Sequence, residues 1–274
     1  MIVNKSVMKK LQWLLCAALL CAAEFALAQV ATVSYILGTA QAIPGAGAAR
    51  ALRKGDSLNQ GETVTTAEGS SIVIRFDDGQ VVALAARSRF AITTYTYNKD
   101  DPDKSSVLLS LAQGGMRVLT GLIGKRNPAS VAYRAGNATI GIRGTDVMLA
   151  TSDGAVAITV GEGAITFTFN GQTVSIPVGQ GAMTNADGTI QSAPAAQIVA
   201  LIQALGTPAA MAIAAALQSV SAPDIQSAVT QAVREGAAPP GSKQLSSPPS
   251  TPSASGTTGS SGSGGAGGGS PSGR

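Results

Sequence analysis

Arg143 and Asp146 stand three residues apart in the stretch NATIGIRGTDVMLA (137–150), among the strand-forming Ile140, Ile142, Val147 and Leu149 and beside Gly141 and Gly144. An arginine and a carboxylate so placed suit two kinds of chemistry. Arg143 would hold an anionic ligand that Asp146 orients, or the two would neutralise each other at a β-bulge, with Gly141 and Gly144 letting the chain bend. A buried charge needs a partner and one lies three residues away, so a structural clasp of Arg143, Asp146, Gly141 and Gly144 is the expectation. A second set of oxygen ligands, Asp100, Asp101 and Asp103, lies in NKDDPDK (98–104). Three carboxylates suit calcium, but the spacing matches no EF-hand and Lys99 and Lys104 flank the cluster. A solvated hairpin loop is expected there, with an ion site as the weaker alternative. Asp77-Asp78-Gly79 reads as a turn first and a carboxylate pair second.

Catalysis finds little to work with. The chain has no histidine, and its two cysteines, Cys16 and Cys21, lie near the N-terminus. Ser-His and Cys-His nucleophile systems and the usual zinc sites are thereby excluded for the remainder. A glycosidase needs only two carboxylates at the right separation, but nothing marks such a pair. The GLIGK run (121–125) lacks the Gly-Lys-Ser/Thr ending of a phosphate-binding loop. The expectation is a protein that is not an enzyme and carries no cofactor and no metal.

Any such groups must be positioned by strands. Runs such as SSIVIRFDDGQVVALAA (70–86), ARSRFAITTYTYN (86–98) and GAVAITVGEGAITFTFNGQTVSIPVGQGAMTN (154–185) alternate apolar with small or polar residues. Turns are expected at Asp77-Asp78-Gly79, Gly114-Gly115, Gly161-Glu162-Gly163, Asn170-Gly171 and Gly179-Gln180-Gly181, with an irregular loop over GTAQAIPGAGAARAL (38–52). Evenly punctuated short strands predict an all-β fold, a solenoid, sandwich or barrel. From Pro194 the composition changes to three short Ala-rich helices, over 195–205, 208–221 and 223–236, with Pro208 and Pro223 suited to first helical positions. The middle one is apolar on nearly all sides and should be covered by the β-domain or by a partner.

The ends complete the division. Lys5, Lys9 and Lys10, the run LQWLLCAALLCAA (11–23) and Ala26-Leu27-Ala28 predict a signal peptide over 1–28 cleaved after Ala28, and hence a periplasmic or secreted protein. Removing it takes Lys+Arg from 19 to 16 and Asp+Glu from 15 to 14, a net charge of +2 that points to no nucleic-acid partner. The organisation expected is a β-domain at 29–192, a helical extension at 193–236 and a disordered Gly/Ser/Pro-rich tail at 237–274, with no stable membrane insertion.

GDSLNQGETVTT (55–66), SIVIRFDDG (71–79), SRFAI (88–92) and TIGIRGTD (139–146) together resemble the FecR domain in order and spacing. The resemblance implies a periplasmic all-β region that relays a signal between an outer-membrane receptor and a membrane-anchored regulator of an alternative sigma factor. Those signalling proteins carry a cytoplasmic segment and a transmembrane helix before the domain, where a cleavable signal peptide is expected here. The first functional reading is therefore an exported, non-catalytic module that binds an envelope protein or a cell-wall or polysaccharide polymer. The alternative is a sensory or regulatory component of envelope signalling that acts through a separate membrane protein. A carboxylate-based carbohydrate-active enzyme is a third.

Overall fold

A computed structural model describes residues 29–237; the expected signal peptide, and the expected tail apart from Ala237, lie outside the described residues. The chain forms β1 (Gln29–Leu37), β2 (Ala40–Ile43), β3 (Arg50–Ala51), β4 (Ser57–Asn59), β5 (Thr63–Thr66), β6 (Ser71–Phe76), β7 (Val81–Leu84), β8 (Arg89–Thr96), β9 (Ser106–Leu119), α1 (Leu122–Arg126), β10 (Val131–Ala135), β11 (Ala138–Ser152), β12 (Ala155–Phe169), β13 (Gln172–Pro177), β14 (Gln180–Thr184), β15 (Ile190–Pro194), α2 (Ala195–Leu205), α3 (Pro208–Val220) and α4 (Pro223–Ala237). The fold is mostly β, followed by short helices.

The fifteen strands form one hydrogen-bonded network that doubles back on itself as two layers. One layer, sheet A, runs β3-β2-β5-β8-β9-β10-β11-β12-β13 and uses the first halves of β9 and β11 and the second half of β12. The other, sheet B, runs β4-β1-β6-β7-β9-β11-β12-β14-β15 and uses the remaining halves. Strand β10 is the wedge between them. In sheet A it separates β9 from β11, pairing parallel with one and antiparallel with the other, whereas in sheet B those two strands pair directly. A sandwich built this way excludes the solenoid alternative.

Two of the expected turns are instead bends within long strands. β9 continues through Gly114-Gly115 and β12 through Gly161-Glu162-Gly163, each crossing from one layer to the other. At the second crossing, a side chain on Gly163 (φ +72°) would collide with the Gly144 carbonyl and come within 2.7 Å of that of Arg143. Only glycine lets β11 and β12 bend together there. The expected loop at 38–52 contains β2 and β3, which extend the edge of sheet A. The Asn170-Gly171 turn is a two-residue hairpin with positive φ at both residues (47° and 78°), the type I′ geometry that matches strand twist.

The core lies between the layers. Phe76, Leu84, Met116 and Ile158 from sheet B meet Phe90, Leu109, Tyr133 and Phe167 from sheet A, all fully buried. Burying each such side chain contributes about 1.5–3 kcal/mol before entropy is counted. Sheet B is buried on its second face as well. Ala85, Ala150, Ala157 and Met183 lie under α2 and α3, and Val73, Val81 and Ala83 lie under Ile225, Ala228, Val229 and Ala232 of α4. This explains why β7 reads VVAL with no polar alternation and is buried at every position. A Cβ on Gly115 would stand 2.8 Å from that of Ala216, so the bare backbone of β9 sets how closely α3 approaches. Gly206 ends α2 in the left-handed conformation, and the Thr207 hydroxyl then caps α3 by accepting from the Ala210 N–H at 3.2 Å. Thus α3 is covered by the β-domain on one side, while Met211 on the other remains 62% exposed. No helix among the described residues is long and apolar enough to cross a membrane.

Candidate functional site

Arg143 and Asp146 do not pair. The register of β11 against β12 shifts between Arg143 and Asp146, and again after Asp146, with Gly144 at φ +62°. Thr139, Gly141 and Arg143 line the outer face of sheet A, whereas Asp146, Met148 and Ala150 line the helix side of sheet B. The hydrophobic core separates the two charges. Gly141 lies beside Thr166 on the open face, where a Cβ would come within 2.5 Å of the threonine hydroxyl.

Asp146 is engaged from the neighbouring strand. Arg117 Nε donates to one carboxylate oxygen at 2.9 Å and Nη2 to the other at 2.6 Å. The two side chains are 18% and 19% exposed. This fork-on-carboxylate geometry raises the Arg117 pKa above its ordinary value, the hydrogen bonds it donates to Asp146 outweighing the opposing effect of burial. The sequence hid it because the partners lie 29 positions apart.

The acidic loop at 98–104 is held by its own chain. Asn98 Oδ1 accepts from the N–H groups of Asp100 and Asp101, Lys104 pairs with Asp101 at 2.9 Å, and Asp103 accepts from Asn127 at 3.3 Å. Among the described residues no group of three or more histidine, cysteine or acidic side chains is placed to hold a metal ion.

A buried polar network gives Asp78 a larger place than its turn position suggests. Asp78 is 1% exposed, yet one carboxylate oxygen accepts from the Tyr95 hydroxyl (3.0 Å) and the Gln80 N–H (3.1 Å), and the other from the Ile123 N–H (3.3 Å). Its N–H donates to the Tyr95 oxygen at 2.9 Å, and its carbonyl accepts from Leu122 at 2.9 Å. Tyr133, fully buried, donates to Gln80 Oε1 at 2.9 Å. The network ties the β6–β7 turn to α1, the connection between β9 and β10. Burial raises the Asp78 pKa against the lowering effect of these donors, and burial together with the Asp78 charge drives the Tyr95 hydroxyl far above its ordinary value. Gln80 Nε2 has no partner among the described residues. Tyr133 falls at the inward parity of β10, but Tyr95 turns inward only because a bulge between Ile92 and Thr94 shifts the parity of β8, so strand alternation alone does not reveal the convergence on Asp78.

Two open features remain. A cavity of about 490 Å³ lies at the end of the sandwich against the α2–α3 junction, lined by the buried Phe169, Met183 and Ile213 and by the exposed Leu205, Asp153 and Asn170. The outer face of sheet A is uncovered, carries short hydroxyl side chains, and presents Arg89, Arg134 and Arg143.

Residues 62–166 match the family model described as FecR protein, a span from the start of β5 into the second half of β12. Two crystal structures of a candidate anti-sigma factor from Parabacteroides distasonis, at 1.65 and 2.50 Å resolution, are similar at 14% sequence identity and a TM-score of 0.39. Each match covers 48% of this chain and 59% of that one, so little more than half of the solved protein is represented. No curated protein matches the chain.

Proposed function

We propose, on the premise that residues 62–166 make this chain a member of the FecR domain family, that it is a regulatory component of envelope signalling that acts through a separate membrane protein. The family match is the observation that carries this reading. It spans the strands shared by both sheets and the Asp78 network, the parts that make the domain one mechanical body. The chemistry agrees with a binding role, because the chain contains no histidine and the buried carboxyl of Asp78 is sealed inside the fold rather than open to a substrate. We place the protein outside the cytoplasm, from the expected signal peptide, and regard it as non-catalytic. Binding of a cell-wall or polysaccharide polymer, the first reading from sequence, has no comparable support.

The test is removal of the gene from its native host, followed by measurement of transcription and of envelope composition. A defined set of genes should change and return on complementation with the full chain, and N-terminal sequencing of the exported protein should begin at Gln29. Unchanged transcription, with a glycan turned over by the purified protein, would replace the regulatory reading with the enzymatic one.

A further inference from the structure

We infer that the outer face of sheet A is the docking surface for an extended acidic segment of the partner protein. The inference rests on the regulatory reading above for the existence of that partner. Residues 29–237 contain 14 basic and 14 acidic side chains, so the described body is electrically balanced. The face is not. Its outward positions on β8, β10 and the first half of β11 include Arg89, Arg134 and Arg143, all exposed, and no carboxylate. None of the three forms an ion pair among the described residues, whereas Arg50, Arg87 and Arg117 each have a carboxylate partner. Most acidic residues fall instead in turns and loops, among them Asp56, Glu68, Asp77, Asp153 and Asp187, while Glu162 stands at the β12 crease, two residues from the register partner of Arg143, and forms no ion pair with it.

Register places the three arginines on a diagonal. Arg134 pairs with Thr139, and Arg143 lies four residues further along β11. At roughly 3.3 Å per residue and 4.8 Å between strands, their Cα atoms are about 14 Å apart. On the other side Arg134 aligns with Ser110, Ser110 aligns with Ala91, and Arg89 lies beyond it. Two strand spacings and two to three residues make that step about 12 Å. The order is therefore Arg143, Arg134, Arg89, in a line about 26 Å long with similar steps. Between them the face is built mostly of short side chains, Thr139, Gly141, Ala132, Ser110, Ala91 and Thr93, with Leu108 beside Ala132 and Gln113 opposite Arg89. Hydroxyls on this face already bond one another, Thr93 with Ser110 at 3.0 Å and Thr168 with Thr173 at 2.9 Å, so they are neutral groups already partnered.

A line one charge wide fits a linear polyanion better than a plane of them. Recognition of an anionic membrane ordinarily uses a cluster of about 4–8 basic residues. Steps of 12–14 Å correspond to about four residues of extended peptide. Acidic side chains at every fourth position of an extended segment share one face, because the strand period is two, and each would meet one guanidinium.

The probe is a labelled nine-residue peptide with aspartates at the first, fifth and ninth positions, added to the full-length protein and read by fluorescence anisotropy. A peptide of the same composition with aspartates at the first, fourth and seventh positions alternates its charges between faces and serves as the control. The first peptide should bind more tightly, lose about tenfold in affinity on the combined R89Q, R134Q and R143Q substitution, and weaken as salt screens the pairs. K125Q and R126Q, on α1, should leave it unchanged. Because the three arginines are exposed, the triple variant should melt as the parent does; if it does not, the single variants carry the test. Equal binding of both peptides, or undiminished binding to the folded variants, would overturn the proposal, as would adsorption to phosphatidylglycerol vesicles without peptide binding. If the arginines control peptide binding but transcription in the native host ignores their loss, the docking surface stands and the regulatory reading fails.

Discussion

Substituting Arg117 tests which charge Asp146 depends on. An exposed ion pair is worth about 0.2–1 kcal/mol, and breaking a fully buried one costs about 3–5 kcal/mol. The Arg117–Asp146 pair is about one-fifth exposed and bidentate, with bonds of 2.9 and 2.6 Å, so it falls between these limits. Hydrogen bonds to charged groups contribute about 1.5–3 kcal/mol. Arg117→Ala and Asp146→Ala should therefore each cost about 1.5–3 kcal/mol, because each strands its partner beside the helix layer. The double variant should cost about 1–2 kcal/mol less than the sum of the singles. Arg143→Ala, three residues from Asp146 but on the opposite side of the sandwich, should fall within about 0.5 kcal/mol of the parent. Urea unfolding of the parent and the four variants, with fluorescence and circular dichroism required to coincide, provides the measurement. Additive effects of Arg117→Ala and Asp146→Ala, or an Arg143→Ala cost as large as that of Arg117→Ala, would refute the pairing.

Three further outcomes follow from the packing. Because burial raises the Asp78 pKa, the folded state holds that proton to higher pH than the unfolded chain, so this site's contribution grows as pH falls from neutrality through the folded value toward about 3.9. The stability difference between parent and Asp78→Asn should move in the parent's favour on acidification, and a gap that is flat or moves the other way in unfolding titrations would contradict the assignment. Gly163→Ala forces a side chain into the Arg143 and Gly144 carbonyls at a positive φ and should cost about 1–3 kcal/mol, detectable as a lower melting midpoint. Ile225→Ala should cost about 2–5 kcal/mol if α4 is an integral layer, and a loss under about 1 kcal/mol would mean the helix is not docked on Val73 and Val81.

What the sequence revealed is local chemistry. Asp77-Asp78-Gly79 and Asn170-Gly171 turn the chain where their residue types say they should, and Pro208 and Pro223 begin helices. The glycines at 114–115 and 161–163 were misread for a physical reason: a glycine that permits a turn equally permits a strand to bend and change sheets, and only long-range pairing decides between them. The Arg117–Asp146 pair was hidden in the same way, since a neighbour in sequence is not a neighbour across a sandwich whose strands alternate faces. Asp78 looked like a surface turn because nothing local announces that Tyr95 and Tyr133 converge beneath it.

Strands β9, β11 and β12 each run through both sheets, and this has a mechanical consequence. In a sandwich held together only by side chains, the layers can shear by repacking. Here three covalent chains stitch the layers together, so sheet A cannot slide over sheet B without stretching backbone. A push on α3, seated against Gly115 of β9, is therefore delivered along a continuous peptide to the half of β9 that lies beside β10 and the open arginine-bearing face. By connectivity the domain is less two stacked plates than a single sheet folded over, creased at Gly114-Gly115, Gly144 and Gly161 to Gly163.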